Sequence, residues 1–201
     1  PEPVVLDNLV AAGLTTFDVA SPAEMAAVRA AHPGAVLHYN NPVRSPAEIQ
    51  AARAYGIASA SVDDLPGLEG IASLGCEVAV RFKLPVKGAA YDFGEKFGAT
   101  PDEAVVLLRR AQDLGLPLAM TFHPGTQCTD PEAWGAYIEE AARIATRAGV
   151  RLDRLNVGGG FPAHRAGQAP DLAPIFARIA EATAKAFGPD APALVCEPGR
   201  A

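Results

Sequence analysis

The chain has 201 residues, 49% hydrophobic and 20% charged, with a formal net charge of −6. That length can bury one substantial core, so a single soluble globular domain is the expectation. The acidic balance argues against a general nucleic-acid partner, which would demand clustered Lys and Arg, and no apolar run approaches the roughly 20 residues that cross a bilayer, so no membrane partner is expected.

Val4 to Ala12 has helical spacing (Val5, Leu6, Leu9, Val10) and stops at Gly13. Thr15 to Ala20 is β-branched and apolar and reads as a strand carrying Asp18 near its end. Ser21-Pro22-Ala23-Glu24 then forms a capping box that opens a helix to about Ala31. The unit repeats: a strand Ala35 to Tyr39, a second box at Ser45-Pro46-Ala47-Glu48, and a helix to Tyr55 ended by Gly56. Ile57 to Val62 is a strand, followed by Asp63-Asp64 and a helix to about Ser73. Cys76 to Phe82 is a strand, then a longer loop leads to a helix from Pro101 to Leu114. Pro117 to Phe122 is a strand, Pro131 to Ala148 a helix, and Leu152 to Val157 a strand. Pro170 to Phe187 is a helix and Ala193 to Cys196 the last strand.

This alternation predicts parallel pairing through right-handed crossovers, with strands apolar throughout because both faces are buried. A doubly wound sheet and a (β/α)8 barrel of the TIM type both fit this α/β pattern. The barrel is preferred, because polar residues recur at the strand ends, and in a barrel those ends converge on one site.

The strand ends present Asp18, Asn40-Asn41, Asp63, Arg81, His123, Gly158-Gly159-Gly160 and Glu197-Pro198-Gly199-Arg200. Asp63-Asp64 reads as a helix N-cap and Asn40-Asn41-Pro42 as turn chemistry. Arg81, directly after Val78-Ala79-Val80, needs a carboxylate or phosphate partner if covered. His123 ends a strand and leads into a donor-rich loop, where the hydroxyl and N–H of Thr126 could add to an anion site. No second His or Cys lies at metal-ligand spacing, so no metal is expected. Consecutive glycines let N–H groups turn toward one anion, though a tight structural turn would use them equally well. Glu197 followed by a Pro-Gly turn and Arg200 suits a ligand with a basic nitrogen and a phosphate. Gly158 to Ala163 formally matches GxGxxA, but Pro162 interrupts the helix start and no acidic strand end follows, so a dinucleotide fold is discounted.

Cys76, Cys128 and Cys196 are odd in number and unpatterned, which points to reduced thiols and a cytoplasmic setting. The opening Pro1-Glu2-Pro3-Val4 has neither an initiator Met nor the look of a signal peptide, and reads as the start of a piece of something longer.

Together, Phe17-Asp18-Val19-Ala20-Ser21, Lys96-Phe97-Gly98-Ala99, His123-Pro124-Gly125-Thr126-Gln127-Cys128, Gly158-Gly159-Gly160-Phe161-Pro162 and Glu197-Pro198-Gly199-Arg200 resemble one family. It is the pyridoxal-phosphate-dependent decarboxylases of the ornithine/lysine/diaminopimelate/arginine type, nearest the ornithine enzymes, and the likeness covers residues 1–201 as one cofactor-binding barrel domain. The resemblance implies pyridoxal 5'-phosphate, with Glu197 on the pyridine nitrogen and His123 on the ring face. It implies Gly160, Gly199, Arg200 and Thr126 on the phosphate, Gly158, Gly159 and Pro198 among the cofactor-binding residues, and Asp18 and Arg81 lining the site. It further implies decarboxylation of ornithine or lysine to a diamine for polyamine synthesis by a homodimer. The family's pattern departs from this chain at Asn156, where it has Asp, and at Pro124, where it has Val. Its imine-forming lysine lies on a first barrel strand that this sequence lacks, since Lys83, Lys87, Lys96 and Lys185 stand in other contexts. Its second, β-rich domain is likewise absent, so seven strands would leave the barrel open. A non-catalytic homologue like antizyme inhibitor and a diaminopimelate decarboxylase are the alternatives.

Overall fold

A computed structural model describes residues 2–85, 97–164 and 170–199. Its elements alternate as α1 (Pro3–Ala11), β1 (Thr16–Val19), α2 (Pro22–Ala31), β2 (Val36–Tyr39), α3 (Pro46–Tyr55), β3 (Ser59–Val62) and α4 (Leu65–Ala72). They continue with β4 (Glu77–Arg81), α5 (Pro101–Asp113), β5 (Leu118–Thr121), α6 (Pro131–Ala148), β6 (Arg154–Asn156), α7 (Ala173–Phe187), a short 3-10 turn and β7 (Ala193–Val195).

The helix starts follow from local chemistry. Ser45 and Thr100 accept the N–H groups of Glu48 and Glu103, whose carboxylates reach back to complete both capping boxes. At α2 only half of the expected box forms: Ser21 accepts from Glu24, but the Glu24 carboxylate takes the Ala20 N–H at 2.6 Å. Gly56 and Gly149 close α3 and α6 in the left-handed conformation. The last helix begins at Ala173 rather than Pro170, because Asp171 Oδ1 accepts the Ala173 N–H (2.9 Å) and holds the chain in a turn first.

All strands are parallel and their order is β1-β2-β3-β4-β5-β6-β7. A doubly wound sheet must reverse its order at some point; a barrel does not. The sheet curls, since Asn40 beyond β2 hydrogen-bonds Glu197 beyond β7 at 2.6 Å.

One face of the sheet packs on the helices. Phe17, Val19, Leu37, Tyr39, Val62, Val78, Val80, Met120 and Leu155 are buried there with Met25, Leu68, Leu108, Trp134, Ile138 and Ile179 from the helices. Full burial of each such side chain is worth about 1.5–3 kcal/mol. The other face lines the barrel interior and corrects the expectation of wholly apolar strands. Alternation and register bring Asp18, His38, Ser59 and Glu77 to one row and Arg81, Thr121 and Asn156 to another. Below the mouth, Arg154 pairs with Glu77 and donates to Ser59 (2.9 Å), whose Oγ contacts His38 Nδ1 at 2.6 Å. The interior can hold this lower cluster because Arg154, Glu77, Ser59 and His38 partner one another across the lumen.

Candidate active site

Three segments meet at the C-terminal ends of β5, β6 and β7, and their backbones are laced together. The Glu197 N–H donates to Gly158 O (2.8 Å), and the Cys128 N–H donates to Gly160 O (2.9 Å). Gly158, with φ +70°, lies so close to Phe122 that a Cβ would run into its carbonyl; a Cβ at Gly160, with φ +80°, would run into that of Gly125. At Gly159 a Cβ would sit 2.5 Å from Glu197 O and 3.4 Å from His123 Nε2. The glycines therefore serve as the spacer that lets the His123 loop and Glu197 approach one another. Beyond them Phe161 stacks on Trp134 and Phe176, at 5.1 and 5.3 Å between centroids, and anchors the turn to α6 and α7.

Within this lacing the N–H groups of Gly159 and Gly160 find no acceptor among the described residues. Gly159 is buried and Gly160 half-buried; N–H groups so placed are seldom left unpaired, and two in succession on a glycine turn suit an anion. His123 Nδ1 accepts the Gly125 N–H at 3.0 Å, which leaves the ring proton on Nε2. Burial, and then the nearby Arg81 guanidinium, push this imidazole down to about 4, so it presents a flat neutral ring.

Arg81 stands between charges. Burial works against its cation, while Glu197, Asp63 and Asp18 act in its favour. Phe97 lies beside its guanidinium, 5.5 Å from ring centroid to Cζ. Water reaches the Asp18 carboxyl from the mouth, yet protein crowds it on most sides. That crowding and the charge of Glu197 raise it to about 7, against opposing hydrogen bonds from Asn40.

The structure thus brings Asp18, Arg81, His123, Gly158, Gly159, Gly160 and Glu197 to one mouth. Thr126 lies half-buried in the His123 loop, next to Gln127, whose φ of +52° is unusual for a side-chain-bearing residue. Pro198 and Gly199 are exposed, and a Cβ at 199 would meet nothing, so the fold itself makes no demand for glycine there. Arg200 and Lys96 fall outside the described residues.

Sequence reading missed three residues. Asn40, read as turn chemistry, donates to Glu197 Oε1 at 2.6 Å, and Asn156 donates to the same oxygen at 2.5 Å. Asp63, read as part of an N-cap, leaves that task to Asp64, which accepts from Gly67 at 2.7 Å, and instead takes the Gly98 N–H at 2.9 Å. Strand alternation carried a signal for Asn156, which shares its row with Arg81; nothing local marked Asn40.

The arrangement fits a flat ring with a basic nitrogen and an anionic arm: a carboxylate for the nitrogen, an imidazole for the ring face, and glycine amides for the anion. No cluster of His, Cys, Asp and Glu among the described residues could hold a metal ion. No described helix is long and apolar enough to cross a membrane.

A family model, the pyridoxal binding domain of pyridoxal-dependent decarboxylases, matches residues 1–201. A lysine/ornithine decarboxylase of Selenomonas ruminantium is 35% identical over 208 residues, covering 100% of this chain and 52% of that protein. Among solved structures, an SrLDC variant in complex with PLP superposes with a TM-score of 0.86 at 32% identity, over 99% of this chain and 53% of that one. A Vibrio vulnificus lysine/ornithine decarboxylase complexed with putrescine gives 0.81 at 28% identity, over 99% and 54%. The chain therefore spans about half the length of these proteins.

Proposed function

Because the chain belongs to the pyridoxal-dependent decarboxylases, we propose that the intact protein removes the carboxyl group of a basic amino acid, lysine or ornithine, with pyridoxal 5'-phosphate as cofactor. The observation that carries this reading is the lacing of the His123 loop, the glycine turn and Glu197 into one mouth. Glu197 would accept the ring N–H, and His123 would lie against the ring face. The amides of Gly159 and Gly160, with Gly158 shaping the turn, would hold the phosphate together with Thr126, the Pro198-Gly199 turn and Arg200. Asp18 and Arg81 would line the space between. Bound there, pyridoxal phosphate supplies the electron sink for loss of CO2, and the protein supplies orientation and electrostatics.

Each residue's contribution follows from its surroundings. A neutral imidazole packs against an aromatic face without repelling a ring that carries its own proton. Arg81, framed by Asp18, Asp63 and Glu197, keeps the acidic mouth from becoming uniformly negative while a cationic substrate side chain is admitted. The choice of lysine or ornithine rests on the names of the relatives, whereas a polyamine destination for the diamine and a homodimeric assembly rest on the family resemblance of the motifs alone.

The test is a substrate screen of the intact protein with pyridoxal phosphate, measuring CO2 and amine products from lysine, ornithine, arginine and meso-diaminopimelate. Cadaverine or putrescine should form with the highest kcat/KM. Turnover of diaminopimelate alone would replace the substrate, and release of CO2 from none of the four would overturn the reading.

A further inference from the structure

Glu197 sits in a contest of forces. The Arg81 guanidinium attracts it and the Asp18 carboxylate repels it. A flexible glutamate beside a guanidinium ordinarily closes onto it, yet no ion pair between the two forms among the described residues. What holds Glu197 is a pair of amides. Asn40 Nδ2, from beyond β2, and Asn156 Nδ2, from the end of β6, both donate to Oε1, at 2.6 and 2.5 Å. The orientation of Asn156 is forced: its Oδ1 accepts the buried Gly158 N–H at 2.9 Å, so its nitrogen must face Glu197. Among the described residues Oε2 accepts no hydrogen bond.

We propose that Asn40 and Asn156 are positioning residues that clasp Oε1 of Glu197 from opposite sides of the mouth and thereby dedicate Oε2 to the cofactor's ring nitrogen. The inference rests on the pyridoxal-phosphate reading above and adds the device that keeps the acid aimed away from Arg81. At 156 the amide reaches Oε1 with no proton to trap, whereas the aspartate of the family's pattern could take the Gly158 N–H and would hold Oε1 only through a proton shared between the two carboxyls.

The experiment compares equilibrium binding, without substrate, of pyridoxal phosphate and its 1-deaza analogue, in which CH replaces the ring nitrogen. It uses the intact wild-type protein and the Asn40→Ala, Asn156→Ala and Glu197→Ala variants. Contacts to the phosphate, the ring face and any lysine are common to both probes and cancel in the ratio of dissociation constants. The wild type should prefer pyridoxal phosphate by at least about tenfold, the value of a charge-assisted hydrogen bond. Asn40→Ala and Asn156→Ala should each lose part of that preference and move toward the ratio of Glu197→Ala. Equal weakening of both probes in the asparagine variants, with the ratio kept, would reduce the clasp to a structural contact and overturn it. If Asn156→Ala does not fold, Asn40→Ala alone decides by the same ratio. A wild type without preference between the probes is a different failure: it would remove the ring nitrogen from Glu197, and the pyridoxal-phosphate reading of this mouth with it.

Discussion

Asp63 Oδ2 accepts the backbone N–H of Gly98 at 2.9 Å, joining the exit of β3 to a segment 35 residues further on. The same segment bridges to β4: the Ala99 N–H donates to Arg81 O, and the Lys83 N–H donates to Ala99 O. Phe97, one residue earlier, is thereby set beside the Arg81 guanidinium. Asp63 thus acts on the mouth at one remove, through a backbone it pins.

Removing that acceptor should loosen the segment. Asp63→Ala is expected to cost about 1–3 kcal/mol, because it leaves a partly buried N–H unpaired. It should weaken cofactor binding as well, whereas Asp63→Asn, which keeps an acceptor oxygen, should recover most of both. Thermal unfolding and cofactor titration of the two variants provide the check, and equal losses in both would assign the effect to charge rather than to the hydrogen bond.

Two glycines that look alike in sequence should behave oppositely. Gly158→Ala must strain a left-handed backbone and drive a methyl into the Phe122 carbonyl, for a loss of about 3 kcal/mol or more. For a domain of this size that lowers Tm by about 6–12 °C. Gly199→Ala meets nothing within 4 Å and should leave Tm unchanged. If Gly199→Ala nevertheless weakens pyridoxal phosphate binding, the demand for glycine at 199 comes from the ligand alone. Thermal melts set beside binding constants separate the two demands.

His38 and His123 are both pushed down to about 4, His38 by burial and then by Arg154, His123 by burial and then by Arg81. An unfolded histidine protonates near 6.5, so the unfolded chain takes up protons first as the solution is acidified. Stability from these two residues is therefore fully present above pH 6.5 and lost as the pH falls toward 4. Urea unfolding of the wild type at pH 7 and 4.5 should show a decline to which His38 contributes about 1 kcal/mol, less than its full shift because solvent screens a half-buried ring. In His38→Asn that share should vanish, whatever the baseline stability of the variant. A decline of the same size in both proteins would mean that His38 is protonated in the fold.

What the sequence made legible and what it hid divide by distance along the chain. Ser45-Pro46-Ala47-Glu48 announces a helix start through four adjacent residues, and Asp130-Pro131 with Gly149 brackets α6 in the same local way. The start of α7 was misplaced because Asp171 competes with the backbone for the Ala173 N–H, a choice that composition does not disclose. Polar residues inside the strands were overlooked although Glu77-Val78-Ala79-Val80-Arg81 alternates visibly, since the buried partner face dominated the reading. Motif residues such as Glu197 and His123 were legible because their neighbours fix the turn they sit on. Asn40 was not, because its role is defined by an oxygen 157 residues away.

The Asp18 carboxyl is raised from 3.8 to about 7 by the protein around it and by the charge of Glu197. With the cofactor site empty of ligand, the folded chain then holds a proton on Asp18 that the unfolded chain gives up above about pH 4. Between these values the folded state binds more protons, so stability from this group is highest at low pH, falls as the pH rises through 7, and levels off above it. The sign is opposite to that of the histidines, although the windows overlap. Asp18→Asn, which cannot ionise, should match the wild type near pH 4 and exceed it above pH 7 by about 1 kcal/mol, a value held down because solvent screens a carboxyl that water reaches. The measurement is the difference in unfolding free energy between the two ligand-free proteins from pH 5 to pH 8.5. Histidine contributions are common to both and cancel, so the difference should grow from pH 5 to about pH 7 and then level off. A difference that stays flat would place the Asp18 titration outside that range and remove the crowding by Glu197 as its cause.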